Sequence, residues 1–236
     1  MGYTNSPLVN YKKLSPNKTI NRNHKIDTIT IHHMAGNLTV EECGNVFAPT
    51  SRKASANYGI GSDGRIGMYV EEKDRSWATS SESNDHRAIT IEVANNNTKT
   101  WTISDKAYKS LVALCVDICK RNGIAELKWK GDKSLVGKVN QQNMTVHRWF
   151  AATLCPGDYL YNLHSQIAKD VNAELKKTTV TKLESGNDII WELMNGKHKI
   201  KIDDVSRAVK ALDKAKSNPD FMSLYWILYK VVNGNG

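Results

Sequence analysis

The chain has 236 residues, 40% of them hydrophobic, so it can bury a sizeable core in one domain or in one domain with a small appendage. It contains no run of about eighteen consecutive apolar residues, which excludes a membrane-spanning helix. The formal net charge of +9 at pH 7 indicates either a polyanionic partner, such as nucleic acid or an anionic cell wall, or a well-solvated surface.

The amino terminus and the cysteines indicate a chain that folds in a reducing cytosol. Residues 1–16 lack the basic and then apolar pattern of a secretory signal. The four cysteines, Cys43, Cys115, Cys119 and Cys155, form no CxxC pair. Two of them are four residues apart in a helical pattern, which is typical of buried thiols. We therefore expect free thiols and synthesis in a cytoplasm, without a signal peptide.

The first predicted strand ends in two histidines. Residues 27–33, DTITIHH, alternate β-branched and apolar side chains after a polar, irregular stretch over 1–26. The carboxyl ends of strands are where α/β sheets open their ligand crevices. Because neighbouring side chains on a strand point to opposite faces, only one of His32 and His33 can face a given site. Thr39 then begins a capping box, which predicts a short helix.

A hairpin, a loop and a second strand follow. Asp63-Gly64 predicts a tight turn between two short strands within 56–70, and residues 75–83 are polar and predict a loop. Residues 88–94, AITIEVA, alternate again but carry Glu92 inside the strand. A carboxylate there is costly unless it is paired or faces a polar cavity. The simpler alternative is a solvent-facing position on a half-exposed strand.

The segment 144–156, MTVHRWFAATLCP, brings a histidine and a cysteine close together in the chain. It follows a helix predicted over 105–122 and a basic loop, and it precedes a helix predicted over 158–175. His147 and Cys155 can converge on a metal, because zinc takes nitrogen and sulfur ligands in a tetrahedron. Two ligands are too few, so a third must come from elsewhere in the chain.

The last sixty or so residues predict a small separate unit. Residues 176–183 are polar and basic without an apolar period, which is typical of a linker. Three short helices are then predicted over 187–195, 203–217 and 220–232. We therefore expect an all-helical C-terminal domain over 184–236, held together by packed apolar and aromatic side chains.

Four motifs occur in a specific order: ITIHHMAG, SANYGIGSDGRI, RSWATS with NDHRAITIEVAN, and VHRWFAATLCPGDYL. Together they make residues 20–175 resemble the type 2 N-acetylmuramoyl-L-alanine amidases, the zinc amidases related to T7 lysozyme and to peptidoglycan recognition proteins. The resemblance implies an α/β fold, with a mixed central β-sheet flanked by helices. It also implies that residues 1–175 form a zinc amidase catalytic domain.

The resemblance assigns the site residues. It implies that His32, His147 and Cys155 are the zinc ligands, which leaves the fourth position to water. It places the catalytic carboxylate on Glu92, which would accept a proton from the water and return it to the departing amine. His33 is left out because it points away from His32 on a regular strand.

The chain departs from the family pattern at three places. Thr153 replaces a lysine found in many relatives, so it can donate a hydrogen bond to the oxyanion but brings no charge. The assisting tyrosine of T7 lysozyme aligns with Ala56, and we interpret Tyr58 as sheet packing. The histidine after Trp77 is absent, although Trp77 is still expected to line the substrate groove. No departure removes a ligand, so we expect an active amidase.

The predicted function is that of a phage or prophage endolysin, because the tail over 184–236 resembles those of clostridial phage amidases. The enzyme would be made in the host cytoplasm, released through a holin and attracted to an anionic wall polymer. It would cleave the bond between N-acetylmuramic acid and L-alanine in Gram-positive peptidoglycan, with no membrane insertion. The tail would bind the wall; the alternative is a dimerising or stabilising appendage.

Two alternatives belong to other classes of function. The first is a non-catalytic peptidoglycan-recognition or regulatory protein on the same fold, against which the retained ligands argue. The second is nucleic-acid binding by the basic surface, for which the sequence shows no interleaving of aromatic and basic residues.

Overall fold

The computed structural model describes residues 3–182, with side chains as far as residue 176. The described residues as far as Leu175 form one compact unit. The helical domain predicted over 184–236 lies outside the described residues, and the boundaries predicted at 175 and 183 stay predictions. None of the helices within the described residues is both long and apolar enough to cross a membrane.

The described residues contain eight strands and four α-helices. The strands are β1 (Tyr11–Lys12), β2 (Lys18–Thr19), β3 (Thr28–His33), β4 (Tyr58–Ile60), β5 (Ile66–Met68), β6 (Arg75–Ser76), β7 (Ala88–Val93) and β8 (Met144–Thr145). The helices are α1 (Val40–Phe47), α2 (Glu82–Arg87), α3 (Asp105–Asn122) and α4 (Gly157–Lys182). Three short 3₁₀ turns cover Thr50–Arg52, Lys133–Leu135 and His147–Trp149.

The central sheet has the strand order β1-β5-β4-β7-β3-β8, and β2 pairs with β6 in a separate two-stranded sheet. Within the central sheet only β4 and β5 are antiparallel, and every other pair is parallel. The predicted mixed α/β fold is therefore confirmed for this unit. Parallel pairing brings the carboxyl ends of β7, β3 and β8 to one edge of the sheet, where ligand sites form.

The sheet has one apolar face and one polar face, because the side chains of each strand alternate. Isoleucines of β3 and β7 on the first face join α3 and α4 in one buried core, whose largest members include Ile29, Ile31, Ile89, Ile91, Leu111 and Leu114. The alternate positions, Thr30 and Thr90, are equally buried but hydrogen-bond to polar side chains. The second face is therefore a layer of buried polar groups.

The helix caps and the tight turn that the sequence predicts are present in the structure. Thr39 and Glu42 form the capping box of α1, with backbone-to-side-chain distances of 2.8 and 3.2 Å. Ser104 caps α3, which ends at Gly123 in a left-handed conformation (φ +67°). Gly64, with φ +87°, turns the chain between β4 and β5 as the Asp-Gly pair predicts.

Three expectations about the elements are wrong. Residues 1–26 are not wholly irregular, because they contribute β1 and β2. The stretch predicted as a loop over 75–83 contains β6 and the start of α2. The Ser81 hydroxyl caps this helix by accepting a hydrogen bond from the backbone N–H of Asn84. Helix α4 continues to Lys182 rather than ending near Leu175. Each of these segments lacks the apolar period that sequence analysis depends on.

Glu72 is a buried carboxylate that joins the sheet to α3. Its oxygens accept from Arg121 at 2.6 and 2.9 Å and from the Tyr58 hydroxyl at 2.6 Å. Tyr58 thus packs in the sheet, as interpreted from the sequence, and also hydrogen-bonds there. Replacing Glu72 with Gln should lower the free energy of unfolding by about 2 kcal/mol, because the partly buried Arg121 guanidinium then loses its charged acceptor.

Urea unfolding measures this loss, and Glu71→Gln is the matched control. Glu71 is the preceding residue and makes surface ion pairs with Lys12 and Lys73 at 3.9 and 3.3 Å. Such pairs contribute about 0–1 kcal/mol. Equal stability losses in the two variants would contradict the role given to Glu72.

Candidate metal centre

Three side chains meet at the carboxyl edge of the sheet. His32 is the penultimate residue of β3 and lies on the polar face, His147 begins the 3₁₀ turn after β8, and Cys155 comes just before α4. Their donor atoms all lie within 4.8 Å of one another. The imidazole Nδ1 of His32 is 3.5 Å from the Cys155 Sγ, and the two imidazole rings are 5.1 Å apart. The structure therefore brings together the three residues predicted as ligands.

The donor set and its spacing fit a zinc ion. Zinc–nitrogen bonds of about 2.0 Å and zinc–sulfur bonds of about 2.3 Å at a tetrahedral angle put the two donors about 3.5 Å apart. This is the separation observed between His32 Nδ1 and Cys155 Sγ. The Nε2 atom of His32 has no hydrogen-bond partner among the described residues, and it would carry the ring proton when Nδ1 binds a metal.

Burial sets the protonation of the three donors. It lowers the pKa of His32 well below the usual value and also lowers the pKa of His147. Both imidazoles are therefore neutral near pH 7, which is the form that binds metals. Burial raises the pKa of the Cys155 thiol, although the His33 backbone N–H donates to its sulfur and opposes the shift. A cation between the donors would stabilise the thiolate.

Glu92 lies beside this triad because of strand register. It is directly opposite His32 on the neighbouring strand β7, and its Oε1 is 3.9 Å from His32 Nδ1. The side chain is only 16% exposed, so Glu92 faces the triad rather than open solvent. Burial raises the pKa of Glu92 to about 8, and the nearby Arg52 opposes that rise. A cation in the triad would also favour the carboxylate.

The two other predicted site residues are held by hydrogen bonds of their own. The Thr153 hydroxyl accepts from the Cys155 backbone N–H at 3.2 Å, so its own hydrogen is free to be donated. The partly exposed Trp77 donates from its indole nitrogen to Thr19 and from its backbone to Ser55, both at 3.0 Å. Their roles towards a substrate stay predictions.

The remaining histidines near the site have other surroundings. His33 hydrogen-bonds through Nδ1 to the Met34 carbonyl oxygen at 2.7 Å, and its ring lies 4.8 Å from that of Trp101. His164 is fully buried beside Trp129, and burial lowers its pKa to about 4. Neither belongs to the triad.

Sequence reasoning missed a group of polar residues beneath the site. Asn84 and Asp85 of α2 are buried against the polar face of the sheet, where Asn84 hydrogen-bonds to Thr30 and Thr145. The available signal was the spacing of the threonines, each two residues before a histidine of the triad. A side chain two positions earlier on a strand faces the same side of the sheet.

Comparison with known proteins identifies the family. Residues 22–158 match the Amidase_2 family model, described as N-acetylmuramoyl-L-alanine amidase. This match covers more than half of the chain, and the chain therefore belongs to the type 2 N-acetylmuramoyl-L-alanine amidase family. No curated protein matches the chain.

Solved structures that are similar to the chain include AmpD, PlyL and an endolysin from Clostridium intestinale. A selenomethionine derivative of AmpD is 17% identical, with a TM-score of 0.52 over 72% of this chain and 99% of that one. PlyL is 16% identical, with a TM-score of 0.50 over 68% of this chain and 95% of that one. The endolysin LysCS from Clostridium intestinale is 19% identical, with a TM-score of 0.43 over 70% and 98% of the two chains. At these identities, the likeness to AmpD and PlyL shows the fold alone.

Proposed function

We propose that this family member is a zinc-dependent hydrolase that cleaves the amide bond between N-acetylmuramic acid and L-alanine in Gram-positive peptidoglycan. The observation that carries the proposal is the meeting of the triad with Glu92 at one edge of the sheet. His32, His147 and Cys155 would hold the zinc ion. Two neutral imidazoles and a thiolate are three protein ligands, the number that catalytic zinc sites use.

In the proposed amide hydrolysis, the zinc ion and the side chains of the protein have different roles. A bound zinc ion would lower the pKa of water to ~7 and polarise the amide carbonyl. Glu92 accepts the proton of the attacking water, since its Oε2 has no hydrogen-bond partner among the described residues. The protonated Glu92 then donates that proton to the amide nitrogen of L-alanine, which would otherwise be a poor leaving group. Thr153 donates its free hydroxyl hydrogen to the oxyanion.

Replacing Thr153 with Val tests the last of these roles. The hydroxyl would bond to the oxygen mainly when charge develops on it, so its loss should lower kcat with little change in KM. A lost hydrogen bond of about 1.4 kcal/mol corresponds to a roughly tenfold slower reaction. Steady-state kinetics on a soluble muramyl peptide measure the effect. Thr153→Ser keeps the hydroxyl and should retain most of the rate; equal rates for the Ser and Val variants would rule out this contribution.

The net charge and the domain organisation of the chain support a proposal for where the enzyme is made and how it reaches the cell wall. The chain would act as an endolysin of clostridial phage or prophage origin, made in the host cytoplasm and reaching the wall through a holin. All four cysteines are free thiols, which suits synthesis in a reducing compartment. The net charge of +9 would favour an anionic wall polymer. Residues 184–236 would form the wall-binding domain, with dimerisation through it as the alternative.

Metal analysis and product analysis of the purified chain test the proposal together. One zinc per chain is expected, and digestion of Gram-positive peptidoglycan should release new amino groups that all belong to alanine. A chelator should stop this release, and added zinc should restore it. Binding to peptidoglycan without bound zinc and without new alanine amino groups would instead identify a non-catalytic recognition protein. Cell walls from clostridia and from unrelated hosts, cleared side by side, test the proposed origin.

A further inference from the structure

Three buried side chains form a closed ring of hydrogen bonds beneath the metal centre. The Asn84 amide donates to Thr30 Oγ1 at 3.1 Å, and the Thr145 hydroxyl donates to Asn84 Oδ1 at 3.0 Å. The two hydroxyl oxygens are 2.7 Å apart. Because Thr145 uses its hydrogen on Asn84, Thr30 must be the donor between the hydroxyls. We call Thr30, Thr145 and Asn84 the hydroxyl–amide ring; every bond in it runs in one direction.

The ring joins β3, which carries His32, to β8, which comes just before His147. Thr30 is two residues before His32, Thr145 is two residues before His147, and the two threonines are register partners of β3 and β8. All three ring members are at most 4% exposed, so water does not compete for these bonds. Hydrogen bonds in such surroundings are stronger than in water and costly to leave unmade.

The register of strand β8 needs support beyond its backbone hydrogen bonds. It has only two residues and pairs with β3 at two positions, so its backbone hydrogen bonds alone specify register weakly. A slip of one residue would turn the histidine that follows to the wrong face of the sheet. The ring opposes that slip because only a hydroxyl on the polar face can reach both Thr30 and Asn84.

Asn84, the third member of the ring, is held in place by the hydrogen bonds of its neighbour in α2. Asp85, the next residue of α2, accepts from the Thr79 hydroxyl at 2.6 Å and from the backbone N–H groups of Ala78 and Thr79 at 3.0 and 3.1 Å. Helix α2 is thereby tied to the preceding loop. Asn84 then presents its amide to both threonines from a fixed position.

We propose that Thr30, Thr145 and Asn84 are positioning residues that set the separation of His32 and His147, and so determine the affinity of the chain for its metal. The inference rests on the proposed zinc site. None of the three side chains belongs to the triad, so each acts through the strand that it holds. Outer partners that orient metal ligands typically change affinity by about 10–100-fold when they are lost.

Thr145→Val is the principal test, because it removes the hydroxyl and nearly keeps the shape. Thr145→Ser restores the hydroxyl. Thr28→Val is the matched control, since Thr28 is a buried threonine on the same strand and face as Thr30 but outside the ring. The zinc dissociation constant, from competition with a chromophoric chelator, is measured for the full chain. The absorption spectrum after cobalt substitution reports the ligand geometry.

We expect zinc to bind about 10–100-fold more weakly to Thr145→Val than to wild type, with an altered cobalt spectrum. Thr145→Ser and Thr28→Val should stay near wild type in both measurements. Asn84→Ala provides a second route if Thr145→Val does not fold, and the same weakening is expected.

Wild-type affinity and an unchanged cobalt spectrum in both ring variants would overturn the inference while leaving the proposed zinc enzyme intact. Equal weakening in Thr145→Val and Thr28→Val would also overturn it, because the effect would then be general to buried threonines of the polar face. A wild-type chain that binds no zinc would remove the proposed function and this inference together.

Discussion

Glu92→Gln should lower kcat for peptidoglycan cleavage by about 10²–10⁴-fold while leaving one zinc per chain, because glutamine keeps the shape of the side chain but cannot accept a proton. The carboxylate lies 3.9 Å from His32 and is not among the three donors of the triad. Metal retention therefore separates a proton-transfer role from a ligand role. Metal analysis and the initial rate at which N-terminal alanine amino groups appear, on the same preparation, give both quantities.

The control for this variant is Glu82→Gln on α2. The Glu82 side chain is 80% exposed and pairs at 3.1 Å with the buried Arg75, away from the triad, so neither zinc content nor rate should change. Full activity in Glu92→Gln would show that another group handles the proton. Loss of zinc from Glu92→Gln would show that the carboxylate helps to hold the ion.

Cys155→Ala is expected to abolish stoichiometric zinc binding and reduce the rate by about 10³-fold or more. The variant removes the sulfur donor, and the loss of metal assistance is several kcal/mol of transition-state stabilisation at about 1.4 kcal/mol per factor of ten. Cys155→Asp supplies an oxygen donor at the same position and should retain part of the zinc. Measurement of zinc per chain and of the rate at saturating zinc tests both variants.

Cys119→Ala is the matched control, because Cys119 is also a buried free thiol but belongs to α3 in the apolar core. It should keep full zinc occupancy, apart from a loss of stability due to the small cavity. If Cys155→Ala bound zinc as tightly as Cys119→Ala, Cys155 would not be a ligand. The proposed centre would then need a different third donor.

The sequence was informative where its local pattern is strong. The alternation of β3 and β7 placed His32 and Glu92 on strands, and the motif order supplied His147 and Cys155 as their companions. Neither the two-residue β8 nor the six-residue α2 has a period long enough to recognise. Their assignment depends on pairing with distant parts of the chain.

The surroundings of the site could not be read from the sequence for a related reason. Thr30 and Thr145 are 115 residues apart, and only the parallel pairing of their strands makes them neighbours. The raised pKa of Glu92 comes from burial, which is a property of the folded chain and not of the local sequence. Thr30 alone appears as a β-branched residue in a strand and gives no sign that its hydroxyl belongs to a ring.

The direct opposition of His32 and Glu92 on β3 and β7 has a consequence for how such an enzyme can be altered. Six consecutive residue pairs of two buried strands fix this opposition, from Thr28 with Ala88 to His33 with Val93. The pairing of the two strands therefore determines the relative placement of His32 and Glu92, the proposed ligand and the proposed base. Exchange of the loops near His32 and Glu92 should therefore leave the spacing of these two side chains unchanged, provided that β3 and β7 are transferred together.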